Sequence, residues 1–225
     1  MAGLFITFEG GEGSGKTTQL QALCTHLRAT GRDALETRDP GGTPIGKQIR
    51  SLLLDPAYGG TAAVTELFLY EASRAQLVHE VIRPALAAGR IVLCDRFTDS
   101  TVAYQGYGRG LDLELITRLN ALAVDGLRPD LTFLLDVEPE VGLARAAQRV
   151  TLRPERHYRI EGEVLGFHQR VRAGYRAIAA AEPDRVSLLD AARGMGEIEE
   201  LIRRRVEALL RPSARPSPSG ILMSG

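Results

Sequence analysis

The 225-residue chain carries 28 basic and 28 acidic side chains, so no net field draws it to nucleic acid or to an anionic membrane. Its 44% apolar content supports a packed core, and its length suits one domain, mobile flaps included, better than two. No apolar run approaches the roughly 20 residues that span a bilayer, and the N-terminus lacks a basic stretch followed by an apolar one. A cytoplasmic protein with a small ligand is therefore expected.

Leu4 to Phe8 is a short apolar run ending in Glu9 and a glycine loop, the pattern of a buried parallel strand. Leu20, Leu23, Cys24 and Leu27 then form a helical stripe from Lys16 to about Thr30, stopped by Gly31. A second strand covers about Ala34 to Thr37, and after the turn cluster Arg38 to Thr43 a helix is marked by Ile45, Ile49, Leu52 and Leu53. One long helix is expected over Ala62 to Ala87, followed by a third strand, Ile91 to Cys94, that ends at Asp95-Arg96. Gly106, Gly108 and Gly110 read as a loop. Beyond it come helix Leu113 to Val124, strand Leu131 to Leu135, and a helix opening near Pro139, where proline suits the first turn.

The apolar period lapses between Arg149 and Arg159, where Arg149, Arg153, Arg156 and Arg159 cluster, and this stretch reads as a mobile basic flap. Helix Glu163 to Ala181, strand Val186 to Leu189 and helix Met195 to Leu210 complete the pattern before a Pro/Ser-rich tail, 211–225, expected to be disordered. The expected architecture is α/β: one phosphate-loop domain over 1–210, with a five-stranded parallel sheet between two helical layers and the ligand at the strands' carboxyl ends. Cys24 and Cys94 read as buried core residues, since two isolated cysteines define neither a disulfide framework nor a zinc site.

Gly10-Gly11-Glu12-Gly13-Ser14-Gly15-Lys16-Thr17, continued by Thr18, satisfies the phosphate-loop pattern between a strand and a helix. Its glycines let successive backbone N–H groups turn onto phosphate oxygens, where the helix N-terminus adds partial positive charge. Lys16 meets the β and γ phosphates of a nucleoside triphosphate, and Thr17 is placed to bind Mg²⁺. Lysine occurs only at positions 16 and 47, so the chain has no Asn-Lys-x-Asp base reader of a GTPase. Nor does the third strand end in the Asp-Glu pair usual in motor ATPases. An acid followed by a cation, Asp95-Arg96, suits a second phosphorylated substrate: Asp95 as a magnesium organiser, Arg96 on the acceptor phosphate.

Several motifs together resemble the bacterial thymidylate kinases, which transfer phosphate from ATP to dTMP. They are Phe8 to Thr18, Arg38-Asp39-Pro40-Gly41-Gly42-Thr43, Asp95-Arg96-Phe97, Ser100 to Gly106, and Pro129 to Val137. The resemblance, which runs from Phe5 to about Leu210, implies that Glu12 contacts the deoxyribose 3′-hydroxyl and that Tyr70 stacks on thymine. Arg74 then bonds a thymine carbonyl, and Arg50 and Arg96 grip the dTMP phosphate. It also places Thr101 and Gln105 near the base and Tyr104 near the sugar, where a bulky ring excludes a 2′-hydroxyl. Read by themselves, Tyr70 is a core aromatic, Arg74 a solvated helix residue and Glu12 a solvated loop acid.

Family likeness further implies a catalytic arginine in a lid at about 149–160, with Arg149 and Arg153 as candidates, because the phosphate loop holds none. It suggests a homodimer as well. The chain departs from the usual pattern at Tyr70, Asp39 and Tyr158, where phenylalanine, glutamate and aspartate are common. A kinase for another nucleoside monophosphate, or an ATP-binding switch with no acceptor, remain alternative readings at this level.

Overall fold

A computed structural model describes residues 3–152 and 159–210, and the side chains of 149–152 are not among those described. The expected tail at 211–225, and Arg153, Arg156 and Tyr158 of the expected flap, lie outside the described residues.

The sheet is parallel, with strands β1 (Leu4–Glu9), β2 (Ala34–Arg38), β3 (Ile91–Asp95), β4 (Leu131–Asp136) and β5 (Val186–Asp190) in the order β2-β3-β1-β4-β5. Because side chains alternate along a strand, β1 sends Phe5 to one face and Ile6 and Phe8 to the other. Ile6 and Phe8 pack with Leu20, Leu23 and Leu27 of α1 (Lys16–Ala29) and with Ile198, Ile202 and Val206 of α9 (Met195–Leu210). Opposite them, Phe5 and Val92 meet Leu77, Val78 and Ile82, which lie along the run formed by α3 (Ala63–Leu77), a π-helical turn (Val78–Ile82) and α4 (Arg83–Ala87). A strand covered on both faces is apolar along most of its length, which is why β1, β3 and β4 read as near-continuous runs.

The remaining helices are α2 (Pro44–Leu54), α5 (Thr98–Thr101), α6 (Leu113–Val124), α7 (Pro139–Leu152) and α8 (Leu165–Ala181). Thr43 caps α2 by accepting from the Gly46 N–H at 3.0 Å, and Asp112 caps α6 by accepting from the Leu115 N–H at 2.8 Å.

Three expectations need correction. The long helix over Ala62 to Ala87 is interrupted by the π turn at Val78–Ile82. The stretch expected as a glycine loop is helical: α5 runs into a π-helical segment, Val102–Gly108. A Cβ on Gly106 would meet the Leu113 side chain at 2.5 Å, and one on Gly108 the Phe167 ring at 2.7 Å, so these glycines permit close packing and do not mark a turn. Gly110 alone, at φ +76°, takes the left-handed conformation that ends the segment. Finally, the basic flap is narrower than its sequence suggests. α7 extends to Leu152, and Arg159 opens a 3₁₀ turn (Arg159–Gly162) in which it is buried, donating to the Leu53 carbonyl at 3.1 Å and pairing with buried Glu66.

Candidate active site

Register brings the two chemical motifs side by side. Phe8 of β1 pairs with Asp95 of β3, so the loop that leaves β1 starts beside Arg96. In this strand order the winding reverses around β1 and β3, and a crevice opens at their carboxyl ends.

Gly10, Gly13 and Gly15 all have positive φ. The loop delivers the chain to α1 with Gly15 as N-cap, with no side-chain cap and no acid in the first turn. Unsatisfied N–H groups without a local acceptor form a site for an anion. Lys16 is buried and its Nζ donates to the Gly11 carbonyl at 3.2 Å; burial first, then Arg96, lowers its pKa, while Glu12 and Asp95 oppose that shift. Thr17 donates to Asp95 Oδ2 at 2.6 Å, and Asp95 Oδ1 is buried with no partner among the described residues. Thr18 is exposed in the first turn of α1.

The loop also rests on α7. A Cβ on Gly13 would lie 2.0 Å from the Gly142 carbonyl oxygen, and one on Gly142 would lie 2.2 Å from the Glu12 carbonyl oxygen. Two backbones in contact cannot yield as a flexible side chain would. Gly142→Ala is therefore expected to displace the loop and lower kcat/KM for the nucleoside triphosphate by about 100-fold, the usual cost of an ångström-scale misplacement. Steady-state kinetics with the triphosphate varied would check it, and a change under threefold would contradict it.

Arg96 stands at the centre of the crevice with φ +70°, a conformation that costs a non-glycine residue roughly 1–3 kcal/mol. Its Nη2 donates to Glu12 Oε1 at 2.8 Å and to the Tyr104 hydroxyl at 3.0 Å, and Tyr104 in turn donates to the same Glu12 oxygen at 2.9 Å. The expected phosphate-gripping arginine, sugar-sensing acid and sugar-edge aromatic thus form one triangle.

One cleft of about 310 Å³, in the size range of small-ligand sites, joins this triangle to the loop. Glu12, Lys16, Thr17, Asp95 and Arg96 line one part of it, and Arg50, Tyr70, Arg74, Thr101, Tyr104 and Gln105 the other. Tyr70 and Arg74 do share a face of α3, as their four-residue spacing requires. Burial, with Glu66 next, pushes the Tyr70 phenol up to about 12, which keeps the ring neutral. Arg74 is not solvated: 1% exposed, it donates to Asp39 at 2.6 Å, Glu71 at 2.9 Å and Asn120 at 2.7 Å. Burial alone would lower its pKa, but the two acids hold it well above the usual arginine value. Arg50 donates to the Pro40 carbonyl at 3.1 Å.

Sequence reading missed two buried acids. Glu66 of α3, 0% exposed, accepts from Gln105 at 2.8 Å and from Arg109 at 3.2 Å, besides pairing with Arg159. Burial raises its pKa, yet the hydrogen bonds from Arg109, Arg159 and Gln105 outweigh burial and hold it below the ordinary value. Glu9, also 0% exposed, closes β1. Glu9 continues the buried run of β1 and Glu66 directly precedes buried Leu67, the local signal that marks them. Of the lid candidates, Arg149 belongs to α7 and Arg153 lies outside the described residues.

A phosphate loop on a parallel five-stranded sheet, facing the Arg96 guanidinium across one cleft, defines a phosphate-loop kinase for a small phosphorylated acceptor. The sequence profile of the family described as thymidylate kinase matches residues 8–202. The chain is 55% identical over 209 residues to the thymidylate kinase of Solidesulfovibrio magneticus, covering 92% of this chain and 100% of that one. It is 51% identical over 214 residues to the thymidylate kinase of Desulfovibrio desulfuricans, covering 94% and 99%. Among solved structures, thymidylate kinase from Ehrlichia chaffeensis superposes with a TM-score of 0.74 at 33% identity, covering 92% of this chain and 99% of that one. The chain belongs to the thymidylate kinase family.

Proposed function

We propose that the chain transfers the γ-phosphate of ATP to dTMP, giving dTDP and ADP, with the site residues in the roles their places in the cleft support. The observation that carries this reading is the single cleft that joins Lys16 and Thr17 to the Arg96–Glu12–Tyr104 triangle and to Tyr70 and Arg74. Lys16 and the amides of Gly10 to Gly15 bind the triphosphate. Thr17 and Asp95 are suited to a magnesium ion: a hydroxyl and a carboxylate meet there, and one carboxylate oxygen is buried with no partner among the described residues. Bound there, magnesium would supply charge neutralisation on the polyphosphate. Arg50 and Arg96 hold the acceptor phosphate, and Tyr70, Arg74, Thr101 and Gln105 bound the base pocket. The attacking phosphate oxygen of dTMP is already ionised at neutral pH. The protein's contribution is therefore positioning and charge neutralisation, with no general base.

Initial rates of ADP release across dTMP, dUMP, UMP, CMP and AMP test this. The highest kcat/KM is expected for dTMP, with dUMP lower by about 10–200-fold, since a methyl pocket contributes only about 1–3 kcal/mol. Another best acceptor would overturn the thymidylate reading, and ATP hydrolysis as fast without acceptor as with it would favour the switch.

The homodimer belongs to the same proposal. Val64 and Phe68 of α3 and Leu115 and Leu122 of α6 are exposed apolar residues on two helices that touch. Sedimentation is expected to give twice the 24.4 kDa chain mass, and Phe68→Glu to shift the protein toward the single-chain mass. A wild-type chain sedimenting at 24.4 kDa at micromolar concentration would contradict it. Among the described residues no helix is long and apolar enough to cross a membrane. A cytoplasmic location is supported by the unpaired, buried thiols of Cys24 and Cys94.

A further inference from the structure

Glu9 is a fully buried acid immediately before the phosphate loop, where phosphate binding itself calls for no carboxylate. Its Oε1 accepts the Phe97 backbone N–H at 2.7 Å. Its Oε2 accepts the hydroxyls of Ser100 at 2.6 Å and of Tyr175, from α8, at 2.7 Å. Arg96 Nη1 donates to these same two hydroxyls, at 3.2 Å to Ser100 and 3.0 Å to Tyr175. A guanidinium only donates, so each hydroxyl accepts from Arg96, and the hydrogens of the pair go to Glu9 either directly or through the 2.8 Å contact between the two hydroxyls. The polarity therefore runs one way, from Arg96 through two hydroxyls to one carboxylate oxygen.

The guanidinium has two sides, one of them braced. Nη1 is held by Ser100, at the edge of the cleft, and by Tyr175 behind it, whereas Nη2 contacts Glu12 and Tyr104 in the cleft itself. Glu9 fixes the backbone as well. The N–H of Arg96 donates to the Phe8 carbonyl at 3.0 Å and the next N–H is taken by Glu9, so the φ +70° conformation is held from both sides. We propose that Glu9, acting through Ser100 and Tyr175, is the positioning residue that sets Arg96 for the acceptor phosphate, with the Tyr175 hydroxyl as its specific link to α8. This deepens the kinase reading and rests on it. Burial, then Asp99, pushes the Glu9 carboxyl up to about 7 while Arg96 pulls it down, so keeping an acid here has a cost that a purely structural contact would not require.

The test compares Glu9→Gln and Tyr175→Phe, each alone and combined with Arg96→Ala, with the acceptor and ATP varied separately and melting temperatures recorded. The probe is whichever acceptor of the five-nucleotide panel the wild type uses best. Glu9→Gln is expected to raise the acceptor KM by about tenfold and Tyr175→Phe by about threefold or more, with the ATP KM changed less than about twofold. In the Arg96→Ala background neither substitution is expected to raise the acceptor KM further, because the brace acts only through Arg96. A merely structural role would lower the melting temperature and the active fraction with both KM values unchanged, and that result would overturn the proposal. Effects that multiply on top of Arg96→Ala would overturn it too. Should Glu9→Gln fail to fold, Tyr175→Phe removes a single oxygen and is judged by the same criteria. A wild type that prefers an acceptor other than dTMP would sink the thymidylate reading, while the brace would still be decided by the KM comparison.

Discussion

Arg96→Ala is expected to lower kcat/KM for dTMP on the order of 10³-fold, since charged hydrogen bonds contribute roughly 1.5–3 kcal/mol each and a guanidinium offers a phosphate two of them. The loss should be greater than at a surface arginine for a second reason. Arg96 is the partner of Glu12 at 2.8 Å and lies two hydrogen bonds from buried Glu9, so its removal takes positive charge out of the cleft where a dianionic acceptor must enter. Arg96→Lys keeps the charge but loses the planar fork, and should recover only part of the activity. ATP affinity, followed by equilibrium binding, should change little. A variant that lost ATP binding as severely as acceptor turnover would show that Arg96 organises the whole site and not the acceptor phosphate in particular.

A comparable effect is expected at Arg149 and Arg153. Positions 11 to 14 of the phosphate loop contain no arginine, so nothing in that loop can stabilise charge on the transferring phosphoryl group as an arginine does. α7 touches the loop at Gly142 and carries Arg149 seven residues further on, roughly 10 Å along the axis at 1.5 Å per residue, with Arg153 four residues beyond. The Arg149→Ala/Arg153→Ala double variant is expected to lower kcat by about 10³–10⁵-fold, the range for an arginine acting on a transferring phosphoryl group. Because such an arginine acts in the transition state, KM for ATP should be nearly unaffected. Single variants measured beside the double one identify which arginine acts. Full activity in all three would remove both from the mechanism.

The motifs legible in the sequence are those whose chemistry is local. From Phe8 to Thr18 the strand, the turning glycines and the first helical turn are consecutive, so one stretch of chain specifies an anion site without knowledge of the rest. The apolar periods placed the strands and most helices for the same reason, and Met195–Leu210 agrees to the residue. Gly106 and Gly108 misled because glycine has two uses, left-handed backbone and close approach, and only the packed neighbours Leu113 and Phe167 tell them apart. Arg159 misled because a cluster of arginines resembles a solvated flap until a buried acid, Glu66, is found against one of them.

Sequence by itself determined a phosphate-binding loop, a parallel sheet to carry it and an acid–arginine pair at the end of β3, because each is written in neighbouring residues. Tertiary structure decided what those parts face. Glu9 and Tyr175 are separated by 166 positions, and Arg74 and Asn120 by 46, yet each pair is within hydrogen-bond distance. The strand order β2-β3-β1-β4-β5 is what sets β1 beside β3 and so Glu12 beside Arg96. Burying charge is favourable only when each donor meets its acceptor, and which donor meets which acceptor is fixed by the packing of distant segments.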